Sequence, residues 1–171
     1  MELGSIDPQF DRLEKDVYEV QRQRWEREGK LTAVSEDAVS EEPWFVYNTI
    51  SANGQDWVCV SVSGKAYPAL KSVSTKAAIA WWAIQDDSDS HRIFDVVKDL
   101  VDPSAGYYAG VFEGGRTNRS RNLNTNAIVL EAILYRRLGR RPFLEILPSK
   151  SGSITDMKPS DARSSHNASQ K

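Results

Sequence analysis

The feature that most restricts the fold is a run of eight consecutive apolar residues, 77–84, which includes Trp81 and Trp82. A helix that is apolar on all sides is buried on several sides and does not lie on a surface. Ser72 or Ser74 can cap its N-terminus. We therefore predict a central helix whose two tryptophans fill the core and which other helices cover.

Three further helices are predicted around this run. The first begins at Asp7-Pro8, a cap followed by a first-turn proline, and ends before Gly29. The third ends at Asp102-Pro103, and the fourth runs from Thr125 to Leu138. The apolar face predicted for the first helix consists of Phe10, Leu13, Val17, Val20 and Trp25.

Short β-structure is predicted between the helices. Segment 44–62 reads as two strands around Asn53-Gly54, a strong signal for a hairpin turn. Segment 106–112 is a short strand or hairpin arm, and the polar segment 30–42 is a loop. The predicted fold class is mainly α with small β-hairpins.

The length of 171 residues allows one domain with a sizeable core. We assign residues 1–148 to a helical domain. Residues 149–171 contain almost no large apolar side chain, so we expect a disordered tail there. The net charge of −2 and the absence of a recognition motif beside the arginines argue against nucleic acid as a partner.

No cofactor and no metal are expected. Cys59 is the only cysteine, which excludes an internal disulfide, and we interpret it as a small buried apolar residue. His91 and His166 are too far apart in the chain to assemble a zinc-type site. No apolar run reaches the length of a membrane span, and the first ten residues do not resemble a signal peptide.

The residues that suggest a ligand are concentrated in segment 106–137, where an aromatic, glycine-bounded part leads into a loop of asparagines and arginines. Aromatic rings cover the C–H faces of sugars, amides pair with hydroxyls, and an acid can move protons. The stretch therefore predicts a carbohydrate ligand. Its candidates are Tyr107, Tyr108, Glu113, Arg116, Asn118, Asn122, Asn124 and Asn126. Helix capping is the alternative for Asn124 or Asn126.

Two carboxylates are the candidate acid and base, because cleavage of a glycosidic bond generally needs a pair. Glu113 is followed by two glycines, so its backbone can approach a ligand closely. Glu36 precedes Asp37, which we place among the substrate-binding candidates. The alternatives are a turn role for Glu113, paired with Arg116, and a capping or loop role for Glu36.

The first hairpin and the central helix add further candidates. Trp44, Tyr47 and Trp57 could stack on sugar rings or fill the core, and Asn48 offers an amide. Lys76, one turn into the central helix, could neutralise a carboxylate at the site or reach outward into solvent.

Five blocks, in the same order, resemble the C-terminal half of the bacterial domain-of-unknown-function 3131 family. They are RWEREGKLTAVSEDA (24–38), PWFVYNTISANGQDW (43–57), VSTKAAIAWWAI (73–84), GYYAGVFEGG (106–115) and NTNAIVLEAILYR (124–136). Members of this family resemble helical-toroid proteins that process polysaccharides.

This resemblance implies an (α/α) barrel built from helical hairpins, with a sugar site at its loop end. Residues 1–148 would then be a fragment, a partial (α/α) toroid-like helical array that lacks the N-terminal half. The resemblance also suggests an extracytoplasmic or envelope-associated location in bacteria.

Three functions follow as hypotheses. The main hypothesis is a carbohydrate-active, glycoside-hydrolase-like fragment that binds or processes a bacterial polysaccharide, with Glu113 and Glu36 as acid and base. The second is a non-catalytic glycan-binding module. The third is a structural half-domain that completes its core by self-association or with a partner chain.

Overall fold

The computed structural model describes residues 7–146, and the predicted tail at 149–171 lies outside the described residues. The helices of this part are α1 (Pro8–Glu28), α2 (Thr75–Ile84), α3 (Ser88–Val97), α4 (Leu123–Arg137) and α5 (Phe143–Ile146). The first five strands are β1 (Glu36–Ala38), β2 (Phe45–Asn48), β3 (Ser51–Ala52), β4 (Gln55–Asp56) and β5 (Cys59–Val60). The others are β6 (Ser72–Ser74), β7 (Val101–Asp102), β8 (Gly106–Tyr107), β9 (Gly110–Phe112) and β10 (Thr117–Asn118).

The prediction of a mainly α, toroid-like helical array is wrong. Helix accounts for 44% and strand for 19%, and the strands of residues 7–146 form four small antiparallel sheets, so the fold is mixed α and β. The difference lies in segments that were expected to be a loop or a helix cap. β1 pairs with β2, and β6 pairs with β9, a partner far along the chain that local patterns do not reveal.

The ends of α1 are confirmed, but its predicted apolar face is covered only in part. The Asp7 side chain caps the helix, and Gly29 closes it with a φ of 66°. Phe10 and Leu13 are exposed, whereas Val17, Val20 and Trp25 are half-buried. The buried side chains are Tyr18, Gln21 and Arg24, spaced at i, i+3 and i+6.

The side chains of these three residues end in polar groups, and they point inward because each makes a hydrogen bond there. Tyr18 Oη donates to Asp87 Oδ1 at 2.5 Å, and Gln21 Oε1 accepts from the backbone N–H of Val34 at 2.9 Å. Arg24 Nη1 donates to Thr32 Oγ1 at 3.2 Å.

The hairpin in segment 44–62 is confirmed. β2 pairs with β5, β3 pairs with β4, and Asn53 and Gly54 form the turn with φ values of 53° and 72°. Positive φ at both central residues is what the tight hairpin turn requires.

The central helix is buried as predicted and packs against α3 and α4. Ala78, Ile79 and Ala83 are fully covered, while Trp81 and Trp82 are partly buried at the edge of the same core. Trp82 stacks on Phe94 with 4.3 Å between ring centroids. α3 stops at Val97, earlier than predicted, because the segment before the proline forms β7 with β8.

The three-stranded sheet β10-β9-β6 lies between the helical core and the sheet β1-β2-β5. Val73 of β6 packs into the helical core. The neighbouring Ser72 and Ser74 side chains hydrogen-bond to Asn48 and Asp37 of the other sheet. Because successive side chains of β6 point to opposite faces, this strand contacts the helical core on one face and the other sheet on the opposite face.

Candidate functional site

The first polar cluster lies where the N-termini of α2 and α4 meet, and we call Glu36, Asp37, Ser74, Lys76 and Asn124 the Lys76 cluster. Lys76 is 4% exposed. Its Nζ donates to Glu36 Oε1 at 3.0 Å and to Asn124 Oδ1 at 2.7 Å. Lys76 therefore neutralises a carboxylate and does not extend freely into solvent.

The two carboxyls of the cluster lie in different environments. Asp37 is 1% exposed, Ser74 Oγ donates to its Oδ1 at 2.9 Å, and its Oδ2 has no partner within the described residues. Burial raises the pKa of Asp37 to about 7. For Glu36 partial burial acts in the same direction, but the hydrogen bond and charge of Lys76, together with hydrogen bonds from the Glu36 backbone and Ser35, outweigh it and the pKa is lowered. Glu36 is therefore ionised near neutral pH, whereas Asp37 is largely protonated below that range.

One exposed ring lies on the strand beside this cluster, and a second exposed ring precedes that strand. Tyr47 is directly opposite Glu36 in the β1–β2 ladder and is 41% exposed. It meets Phe45 edge to face at 5.4 Å. Trp44, the residue before the same strand, is also exposed and has a φ of 68°.

A second polar cluster surrounds Glu113, and we call Arg24, Lys30, Lys71 and Glu113 the Glu113 clamp. Arg24 Nη1 lies 2.7 Å from Glu113 Oε1, and the two lysine ammonium groups lie 3.5 and 3.9 Å from Glu113 Oε2. Arg116, the partner that the sequence suggested as an alternative, pairs instead with Glu41.

A small pocket adjoins the clamp. It is lined by Arg24, Val34, Asn48, Thr49, Trp57, Val58, Lys71, Ser72 and Glu113. Its cavity volume of about 10 Å³ leaves room for about one water molecule. The pocket as it stands does not accommodate a sugar ring.

The two predicted catalytic carboxylates lie at opposite ends of β6. The Glu113 N–H donates to the carbonyl of Lys71, just before the strand, at 2.8 Å. Glu36 contacts Lys76, just after the strand, and the two carboxylates share no ion-pair partner within residues 7–146.

Most of the predicted amides stabilise the chain itself. Asn48 Nδ2 donates to Ser72 Oγ at 3.2 Å, and the fully buried Asn118 donates to the carbonyl of Ala38 at 2.8 Å. Asn126 Oδ1 accepts from the backbone N–H of Tyr107 at 2.9 Å. The residue that caps α4 is Asn122, whose side chain accepts a hydrogen bond from the N–H of Thr125. Asn124 and Asn126 do not cap the helix.

The two adjacent tyrosines are also held by the protein. Tyr107 packs on the helical core and its hydroxyl donates to the carbonyl of Lys98 at 3.3 Å. The guanidinium of Arg121 lies 5.6 Å from the ring centroid of Tyr108. Neither ring lies in the Lys76 cluster.

Sequence reasoning missed Arg24, Lys30 and Lys71. Arg24 is spaced i,i+4 with Glu28 and so looks like an ordinary surface pair. The signal that could have found it is the i, i+3, i+6 row of Tyr18, Gln21 and Arg24, whose members are all long and polar-headed.

No group of three or more His, Cys, Asp or Glu side chains in the described part of the chain is arranged to hold a metal ion. Across residues 7–146 no helix combines the length and the apolar character needed to cross a membrane.

The fold and its polar clusters define a mixed α/β domain with two separate charged sites at the ends of one strand. The chain belongs to the family described as "Protein of unknown function (DUF3131)", whose sequence model matches residues 1–139. No curated protein and no solved structure matches the chain.

Proposed function

We propose that this chain is a carbohydrate-active module that binds a polysaccharide over the Lys76 cluster and the exposed Tyr47 ring of β2. The observation that carries the proposal is the juxtaposition of an exposed Tyr47 with Glu36, which is held in turn by Lys76. A ring beside a carboxylate and an amide offers both the stacking surface and the hydrogen-bonding groups that a sugar needs.

The groups of this cluster complement sugar hydroxyls in a defined way. Glu36 is ionised and accepts hydrogen bonds, and its side chain is 48% exposed. Asn124 uses its oxygen for Lys76, so its amide NH₂ is the part that can donate to a ligand. The ion pair of Glu36 with Lys76 and the hydrogen bond of Asn124 with Lys76 fix the direction of both groups, which lowers the ordering cost of binding.

Binding is favoured over glycoside hydrolysis. A hydrolase needs an acid and a base on either side of one bond. Asp37 has the raised pKa that suits a general acid, but only 1% of it is exposed. Glu113 is held by three cations at the other end of β6.

Tyr47→Ala tests the proposal by isothermal titration with hexasaccharides of neutral glucans and of chitin. Removing the ring should weaken binding about tenfold, since an aromatic contact contributes about 0.5–1.5 kcal/mol beyond the area that it buries. Phe10→Ala, at an exposed ring on α1, is the matched control and should bind as the wild type does. Equal affinity of the Tyr47 variant, or no binding by the wild type to any of these glycans, would contradict the proposal.

Assembly with another chain is a second candidate function, and one observation favours it. On α4, Leu123 and Leu130 are 85% and 68% exposed, seven residues apart on one side of the helix. Exposed apolar side chains at this spacing are typical of a helix that packs against a partner.

A further inference from the structure

We propose that the Glu113 clamp is a binding site for the anionic group of an acidic polysaccharide, a carboxylate or a sulfate, which replaces the Glu113 carboxylate in its pocket. The polysaccharide part of this inference rests on the proposed function. The anion part rests on the geometry of the clamp.

The clamp contains more positive than negative charge. Arg24, Lys30 and Lys71 face Glu113, and Arg24 also contacts Glu28 Oε2 at 3.2 Å. Three cations against two carboxylates leave one positive charge, and removal of Glu113 from the pocket would leave two. An incoming oxyanion therefore enters a site that still attracts it.

Arg24 provides this site with a buried hydrogen-bond donor whose orientation is fixed. Its side chain is 4% exposed, and its guanidinium is held by Thr32 and lies 5.0 Å from the ring centroid of Trp57. A planar guanidinium in a fixed orientation matches the oxygens of a carboxylate or a sulfate. The pocket demonstrates this fit, because it already contains one carboxylate at 2.7 Å from Arg24.

The side chain of Glu113 can leave the pocket without a change of fold. Glu113 is followed by Gly114 and Gly115, and no atom lies within 4 Å of where a Cβ on either glycine would be. Its backbone N–H stays bonded to the carbonyl of Lys71, so rotation of the side chain alone empties the pocket. Because the filled pocket has room for only about one water molecule, an anion must displace this side chain.

The same pocket has contacts for the sugar that carries the anion. Trp57 lines it with an indole ring, and Thr49 lines it with a hydroxyl whose oxygen can still accept a hydrogen bond. The competing explanation is purely structural, since the Arg24–Glu113 pair also ties α1 to the β9–β10 hairpin.

Glu113→Gln separates these two explanations. The amide has the same shape but lacks the charge that competes with a ligand. Isothermal titration of the full chain with hexagalacturonate, cellohexaose and sodium sulfate provides an acidic sugar, a neutral sugar and a free oxyanion. We expect hexagalacturonate to bind the wild type about fivefold more tightly than cellohexaose, with the difference lost in high salt.

The Glu113→Gln variant should bind hexagalacturonate and sulfate about fivefold more tightly than the wild type, with cellohexaose unchanged. Lys71→Gln should weaken binding of both anions. Lys98→Gln is the matched lysine control, because Lys98 pairs with Asp95 on α3 and not with the clamp.

The outcomes distinguish this inference from the proposed function. A folded Glu113→Gln chain that binds neither anion more tightly overturns the anion site, even where neutral glycan binding still depends on Tyr47. Sulfate binding that tightens in Glu113→Gln, with no binding of hexagalacturonate, supports the anion site and overturns the acidic polysaccharide. If the neutral glucan and chitin hexasaccharides also fail to bind, the proposed function is overturned as well. A tighter hexagalacturonate complex that Lys71→Gln weakens supports both parts.

Discussion

Asp37 and Glu36 are neighbours on β1, and the alternation of side chains along a strand gives their carboxyls different chemistry. Asp37 points between the two sheets, where Ser74 is its hydrogen-bond partner, whereas Glu36 lies at the surface and pairs with Lys76. The sequence indicated Glu36 as a catalytic candidate and Asp37 as a substrate-binding candidate. Only the strand assignment separates a buried, protonatable group from an ionised surface group.

Asp37→Asn should change the pH dependence of stability. Because the folded pKa of Asp37, about 7, lies above the value of an exposed aspartate, the folded state binds the extra proton. The contribution of this bound proton to the free energy of unfolding is therefore fully present below about pH 4, and it is lost as the pH rises through about 7.

The asparagine variant stays neutral, so its stability relative to the wild type should increase between pH 4 and pH 8, by on the order of a few kcal/mol. Urea unfolding of both chains across that range measures the difference. Asp56→Asn, on the exposed strand β4, is the control and should leave the shape of the wild-type curve unchanged. Parallel curves for wild type and Asp37→Asn would show that the Asp37 proton is not coupled to folding.

At the scale of elements, local signals predicted the ends of α1 and the hairpin, and long-range pairing supplied what they missed. Asp7, Gly29 and Asn53-Gly54 act within a few residues, so the sequence alone predicts their roles. β1 and β6 have three residues each, and their strand character comes from partners elsewhere. No local pattern in such short segments distinguishes them from a loop or a cap.

The same distinction applies to the candidate site. The sequence indicated Glu36, Lys76 and Asn124 separately, from residue type and position. Their contact requires the N-termini of α2 and α4 to meet, which no spacing in the chain predicts. Asn118 and Asn126 look equally suited to a ligand in the sequence, but the structure uses them to hold backbone groups.

Gly110→Ala should disrupt the pairing of β9 with β6. A Cβ at Gly110 would lie 2.2 Å from the carbonyl oxygen of Val73, and that backbone atom cannot move without breaking the ladder. We expect a loss of about 1–3 kcal/mol or more in the free energy of unfolding.

Gly114→Ala is the matched control, because nothing lies within 4 Å of the added methyl group there. Both substitutions reduce the freedom of the unfolded chain to a similar extent, so their difference isolates the steric effect. Thermal melts of the two variants measure it. Equal midpoints would mean that the sheet tolerates a wider separation of β6 and β9.

At the scale of the whole molecule, three layers bury one another, and within residues 7–146 Leu123 and Leu130 on one side of α4 stay exposed. α2 lies against α3 and α4, and the sheet β10-β9-β6 separates this helical core from β1-β2-β5. Leu123 and Leu130 lie outside these layers. Two leucines that are exposed on the same side of one helix, two turns apart, indicate a contact surface.

The double substitution Leu123→Glu with Leu130→Glu should abolish self-association through α4. If a second copy of the chain covers the two leucines, the wild type should show a concentration-dependent mass above that of the monomer in light scattering at low micromolar concentration. Two carboxylates in the contact would be desolvated without partners, so the variant should scatter as a monomer. Val62→Glu, at an exposed valine after β5, is the control and should associate as the wild type does. A wild type that remains monomeric across the concentration range would exclude self-association, and the exposed row would then require a different partner chain.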